Sequence, residues 1–82
     1  MWDIGDTFLA DLDVGQSAKV IGIGGKRLQR MKLLDMGLTP DTHLEVKRLA
    51  PMGDPIEVAL RGYVLSLRRD EAKLVRVEVD AS

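Results

Sequence analysis

Eighty-two residues, 45% hydrophobic and 30% charged, make one small folded domain with no room for a second core. The absence of cysteine excludes a disulfide framework, a thiolate metal site and a cysteine nucleophile, and it fits a reducing, cytoplasmic setting. The net charge of −1 is uneven: residues 1–18 carry four aspartates and no Lys or Arg (−4), while the remaining 64 carry twelve basic and nine acidic side chains (+3). That bias is too mild for a nucleic-acid binder, whose domain pI usually lies above about 9.

Apolar runs reach only three or four residues, so no membrane span is expected. Asp3 and Asp6 stand where a signal peptide would carry its basic region, and no apolar stretch follows them. Residues 1–8 hold the only Trp and the only Phe, and are read as an N-terminal extension whose aromatics serve core packing or self-association. Residues 9–80 are read as the single domain. Leu9 to Gly15 reads as one helical turn or a tight turn, with Thr7 as its candidate N-cap.

Ser17 to Ile23 is the first long strand, with Ala18 and Val20 on one side and Ile21 and Ile23 on the other. A helix follows over Lys26–Met36, with Gly25 as candidate N-cap. Leu28, Met31, Leu34 and Leu38 recur at helical spacing and are expected to form its core-facing stripe. Gly37 falls at the left-handed C′ position, which pairs Leu33 with Leu38 in a Schellman cap, and Pro40 bars the helix from resuming. Lys26 and Arg27 occupy the first turn, where the macrodipole disfavours cations by about 0.3–1 kcal/mol each. With Arg30 one turn beyond Lys26, these three are the candidate partner-contact residues.

Beyond the Thr39-Pro40-Asp41 turn, three strands alternate apolar and polar residues. They are Leu44 and Val46 within His43–Leu49, then Ile56, Val58 and Leu60, then Tyr63, Leu65 and Leu67 after a break at Gly62. Residues 68–74 favour a single helical turn, and Val75, Val77 and Val79 alternate as the last strand. Five short strands with one inserted helix predict a mainly β fold, a small five-stranded SH3-like barrel with the helix across one opening.

Catalytic chemistry finds no support. His43 is the only histidine, and with Asp41 or Glu45 it would offer a divalent transition metal one or two ligands, where a stable zinc site wants about four, or three plus water. Any such site would be weak, or would need a second chain. Gly22-Ile23-Gly24-Gly25-Lys26-Arg27 lacks the spacing of a phosphate-binding loop, and Arg27 stands where a dinucleotide fingerprint needs its third glycine. Lys47, Arg48, Arg61, Arg68 and Arg69 lack the interleaved aromatics of a single-strand nucleic-acid surface.

Three segments together resemble the FeoA family: Leu9 to Gly25 (L-A-D-L-D-V-G-Q-S-A-K-V-I-G-I-G-G), Arg30 to Pro40 with its Met36-Gly37-Leu38-Thr39-Pro40 element, and Pro55 to Ala72 with Arg61-Gly62-Tyr63. The resemblance covers nearly the whole chain, from about Leu9 to Val79. It implies a small cytosolic SH3-like protein of bacterial ferrous iron uptake, acting beside a membrane transporter that carries a GTP-binding domain. It implies no catalytic residue and no secure metal-ligand set; Leu28, Met31, Leu33, Met36, Gly37, Leu38, Pro40 and Gly62 are read as the structural signature, architecture and not a site. Asp41 departs from the glycine usual there, a change Asp tolerates because it visits positive φ. The leading expectation is a non-enzymatic accessory protein working by protein–protein contact. The alternatives are a metal sensor or carrier using His43, in a dimer if need be, and a stimulator of GTP hydrolysis inserting Arg27 or Arg30.

Overall fold

The computed structural model describes residues 7–80. Six strands form one antiparallel sheet: β1 (Thr7–Phe8), β2 (Ser17–Ile23), β3 (His43–Leu49), β4 (Ile56–Leu60), β5 (Tyr63–Leu67) and β6 (Val75–Val79). Their spatial order is β1-β6-β2-β3-β4-β5, and β1 and β5 are edges that do not pair with one another. The fold is mainly β, as expected. The difference lies in a short sixth strand, contributed by Thr7 and Phe8, and in a ladder that curls around its core without closing by hydrogen bonds. Thr7 is therefore in a strand and not a cap, and Phe8 is half-buried beside β6. Trp2 lies outside the described residues.

The core follows from the alternation in the strands. Ala18 and Val20 of β2, Leu44 and Val46 of β3, Ile56, Val58 and Leu60 of β4, Leu67 of β5, and Val75 and Val77 of β6 all turn inward and are buried. Leu9 and Leu12, around a 3₁₀ turn at Leu9–Asp11, close one end of this core, joined by Ala72 from α2 (Arg69–Ala72). Asp11 fixes that turn by accepting the Phe8 N–H at 2.9 Å. A bulge between Val20 and Gly22 changes the phase of β2, so Ile23 comes opposite buried Val75 and packs on the core while Ile21 is exposed. The expected pairing of Ile21 with Ile23 on one face fails for that reason, because one extra residue reverses the alternation. Val79, at the end of β6, is exposed, which leaves only Val75 and Val77 in the core.

Helix α1 covers Arg27–Asp35, with Lys26 and not Gly25 as its N-cap. No Ser, Thr, Asp or Asn is available to cap it, and the Gln29 side chain accepts the Lys26 N–H instead, at 3.0 Å. Its end has Schellman geometry: Leu38 N–H donates to Leu33 O (3.2 Å), Gly37 N–H donates to Leu34 O (3.0 Å), and Gly37 has φ +107°. Leu33 and Leu38 are both buried at this cap, and Leu33 is the only residue of α1 that is.

The expected core stripe is therefore corrected. Leu28 is 81% exposed and Met31 44%, while Leu34 is half-buried and Leu38 buried, so only the later half of the spacing marked the core. Past the cap the chain returns to β2, with Asp41 N–H donating to Val20 O and Val20 N–H to Thr42 O, each at 2.8 Å. The helix is thus anchored at both ends, since Gly24 N–H, just before it, donates to Leu74 O at 2.8 Å, and it turns Leu28 and Met31 outward.

Candidate functional site

The outward part of α1 combines charge and apolar surface. At 100° per residue, Leu28 and Met31 lie 60° apart on the side away from Leu33, with Arg27 beside Met31 and Arg30 on the flank. Lys26, Arg27 and Arg30 are exposed, and among the described residues none of their side chains has an ion-pair or hydrogen-bond partner. The other flank is neutralised, since Lys32 Nζ lies 3.1 Å from Glu71 Oε2 of α2. Glu71 also accepts the Arg68 N–H through Oε1, at 2.9 Å. That backbone bond above all, helped by Lys32 and opposed by partial burial, holds its carboxyl below the ordinary value.

At the other end of α1 the two most distinctive sequence segments meet. Tyr63 donates its hydroxyl proton to the Met36 carbonyl, and a methyl at Gly37 would collide with that hydroxyl. Two residues away, Arg61 donates from Nη2 to Thr39 Oγ1 and Thr42 Oγ1, each at 2.8 Å, and the two hydroxyls lie 2.9 Å apart. Arg61 and Gly62 are the central residues of the β4–β5 hairpin, both at positive φ (+50° and +85°), the pattern of a type I′ turn. Pro40 is exposed, and Asp41 adopts φ +72°. The roles of Arg61 and Tyr63 were hidden in the sequence because both act on residues far away in the chain. The two-residue Arg-Gly break between alternating strands is the signal that marks their turn.

His43 lies apart from α1, exposed at the start of β3. Its nearest carboxylate is neither Asp41 nor Glu45 but Asp80, with Nδ1 3.6 Å from Oδ2. Both line an open groove of about 460 Å³ with Ser17, Glu45, Ala59 and Val64. Among the described residues, no group of three or more His, Asp or Glu side chains converges to hold a metal ion. One chain thus supplies a ligand pair and not a closed site, which does not fit a resident zinc or iron.

Comparison with known proteins places this geometry. The FeoA domain family matches residues 7–79. The chain belongs to the FeoA family. An FeoA-like protein from Clostridium acetobutylicum is 41% identical, with 98% of this chain and 93% of that one covered at a TM-score of 0.87. A zinc-complexed FeoA from Stenotrophomonas maltophilia, described as a prokaryotic SH3 domain protein, is 26% identical at a TM-score of 0.72 over 90% of this chain and 89% of that one. The fold is therefore SH3-like, although its sheet is not closed.

The family's link to ferrous iron transport comes from an Fe(2+) transport protein A/Fe(2+) transporter FeoB fusion protein of Porphyromonas gingivalis. It is 31% identical over 74 residues, which are 90% of this chain. The chain spans 9% of that fusion protein's length. Among the described residues, no helix is long and apolar enough to cross a membrane.

Proposed function

We propose that this protein is a non-enzymatic, cytoplasmic accessory protein of bacterial ferrous iron uptake that docks on the cytosolic, GTP-binding part of the membrane transporter. One observation carries the reading: the same domain occurs covalently joined to a ferrous iron transporter in Porphyromonas gingivalis. Fusion raises the effective concentration of one partner at the other, to millimolar levels for short linkers, which is useful where separate chains must otherwise meet. The site chemistry agrees, since the outward face of α1 offers positive charge and apolar surface of the kind a protein contact uses. The test is co-purification of the full chain with the detergent-solubilised transporter, with and without guanine nucleotide. Retention in either state is the expected result, and no interaction up to high micromolar concentration overturns the reading.

A second reading, metal binding across a dimer, is favoured by the exposed His43–Asp80 pair. Two copies would bring four ligands where one brings two. The zinc-complexed Stenotrophomonas maltophilia relative is in keeping with this. Calorimetric titration of Zn²⁺ or Fe²⁺ into wild type and His43→Ala separates the readings. Equal, negligible heats end the metal reading and leave docking intact.

A further inference from the structure

We infer that the transporter is engaged through the outward face of α1, by an acidic surface with an apolar centre. The inference rests on the docking reading above and adds to it the place and the chemistry of the contact. Three observations carry it. Leu28 and Met31 form an apolar stripe on the side of α1 opposite Leu33, 81% and 44% exposed. Arg27 borders that stripe, about 40° from Met31 at 100° per residue, and Lys26 and Arg30 stand further round the first turns; all three are exposed without counter-ions among the described residues, whereas Lys32 on the other flank has Glu71. Lys26 and Arg27 also sit at the N-terminal turn of the helix, where the macrodipole opposes them, so helix stability does not account for them.

Charge complementarity selects the occupant. Exposed carboxylates on the partner would pair with the three cations, and apolar side chains beside them would cover Leu28 and Met31. A basic or purely apolar partner would leave the cations buried and unpaired, which costs more than the apolar contact returns. Asp35 ends the face with a negative charge on the C-terminal turn. It fixes polarity along the helix, so the carboxylates of the partner are expected over residues 26–30.

The experiment measures the Kd of the full chain for the detergent-solubilised transporter at about 0.1 M and about 0.5 M salt. These conditions shorten the screening length from about 10 Å to about 4 Å. Wild type is compared with Arg27→Glu/Arg30→Glu, Leu28→Ser/Met31→Ser, and a control on the far groove, Val64→Ser. All five positions are exposed, and unchanged circular dichroism and thermal midpoints verify that each variant folds.

The expected result is Kd raised about tenfold or more by each α1 double variant and unchanged by Val64→Ser. Wild-type binding should weaken in high salt, and the charge-reversed variant should lose most of that dependence. Wild-type binding that both α1 variants retain overturns this inference alone and leaves docking standing. A wild-type chain that does not bind overturns docking and this inference together. A self-dimer that the α1 substitutions dissolve, with transporter binding unaffected, overturns it in favour of a second copy as the occupant.

Discussion

The Tyr63 hydroxyl donates to the Met36 carbonyl, across 27 positions of sequence, at the point where α1 ends and the chain turns back to the sheet. This bond explains why the Met36-Gly37 and Arg61-Gly62-Tyr63 segments act as one feature. The first presents an unsatisfied helix-end carbonyl and a residue without a side chain, and the second supplies the donor that lies over both. This bond holds the C-terminal end of the helix, as the Gly24 N–H to Leu74 O bond holds the approach to its N-terminal end.

Because the hydroxyl is also what a methyl at Gly37 would meet, the two sites should couple. Gly37→Ala should cost at least about 1–2 kcal/mol through its positive φ alone, and more through the collision. Tyr63→Phe removes one partly exposed hydrogen bond, worth about 0.5–1.5 kcal/mol. In the double variant the collision is gone, so its cost should fall short of the sum by on the order of 1 kcal/mol. Urea unfolding of the four proteins checks this, and strict additivity would show that the contact is not felt.

Thr42 is the one buried polar residue among those described, 6% exposed, and it shares Arg61 with Thr39. Thr42→Val keeps the shape but removes a hydroxyl that makes two of the three bonds in this cluster. It should cost about 1–2 kcal/mol, since a guanidinium loses an acceptor in a partly buried place. Arg61→Gly removes both guanidinium bonds but keeps the Thr39–Thr42 bond, which still satisfies the buried hydroxyl, and it relieves a non-glycine residue of φ +50°. It should therefore destabilise less than Thr42→Val. The order of the two thermal midpoints decides.

Leu33 and the pair Leu28 and Met31 should behave oppositely, although all three are apolar residues of one helix. Leu33 is 1% exposed, so Leu33→Ala should cost about 2–5 kcal/mol by opening a cavity beneath the cap. Leu28→Ala and Met31→Ala should each stay within about 0.5 kcal/mol of wild type. Chemical denaturation measures all three, and a large loss at Leu28 would mean that the helix is covered by its own chain.

That contrast marks how far the sequence could be read. The strands were legible because alternation with period two has one cheap solution, a sheet buried on one side, and Val46, Val58 and Val77 took their expected places. The helix end was legible because a left-handed glycine followed by an apolar residue and a proline leaves few other geometries. The destination of the helix was not. Periodicity identifies a face, and Leu28 and Met31 would space identically whether the cover came from this chain or from another. The bulge at Ile21 and the pairing of His43 with Asp80 depended on register between distant strands, which local pattern does not carry. The cations at residues 26, 27 and 30 stood out because they break a local electrostatic rule, and that rule needs no tertiary information.

The last prediction concerns pH and the flank of α1 that is already neutralised. Glu71 accepts the Arg68 N–H and faces Lys32, and its folded value lies below the ordinary 4.5. Between that lower value and 4.5 the unfolded chain binds more protons than the folded one, so stability rises with pH across this interval. The contribution of Glu71 is therefore complete above about pH 4.5 and disappears as the pH falls through the folded value. Glu71→Gln keeps an oxygen acceptor for the Arg68 N–H but carries no charge toward Lys32. Wild type should be the more stable at neutral pH, and the gap should close as the pH falls below 4.5 and through the folded value. Urea midpoints of the two proteins across that range test the assignment. A gap that persists unchanged at the acidic end would mean that the carboxylate charge at Glu71 does not fasten α2 to the helix.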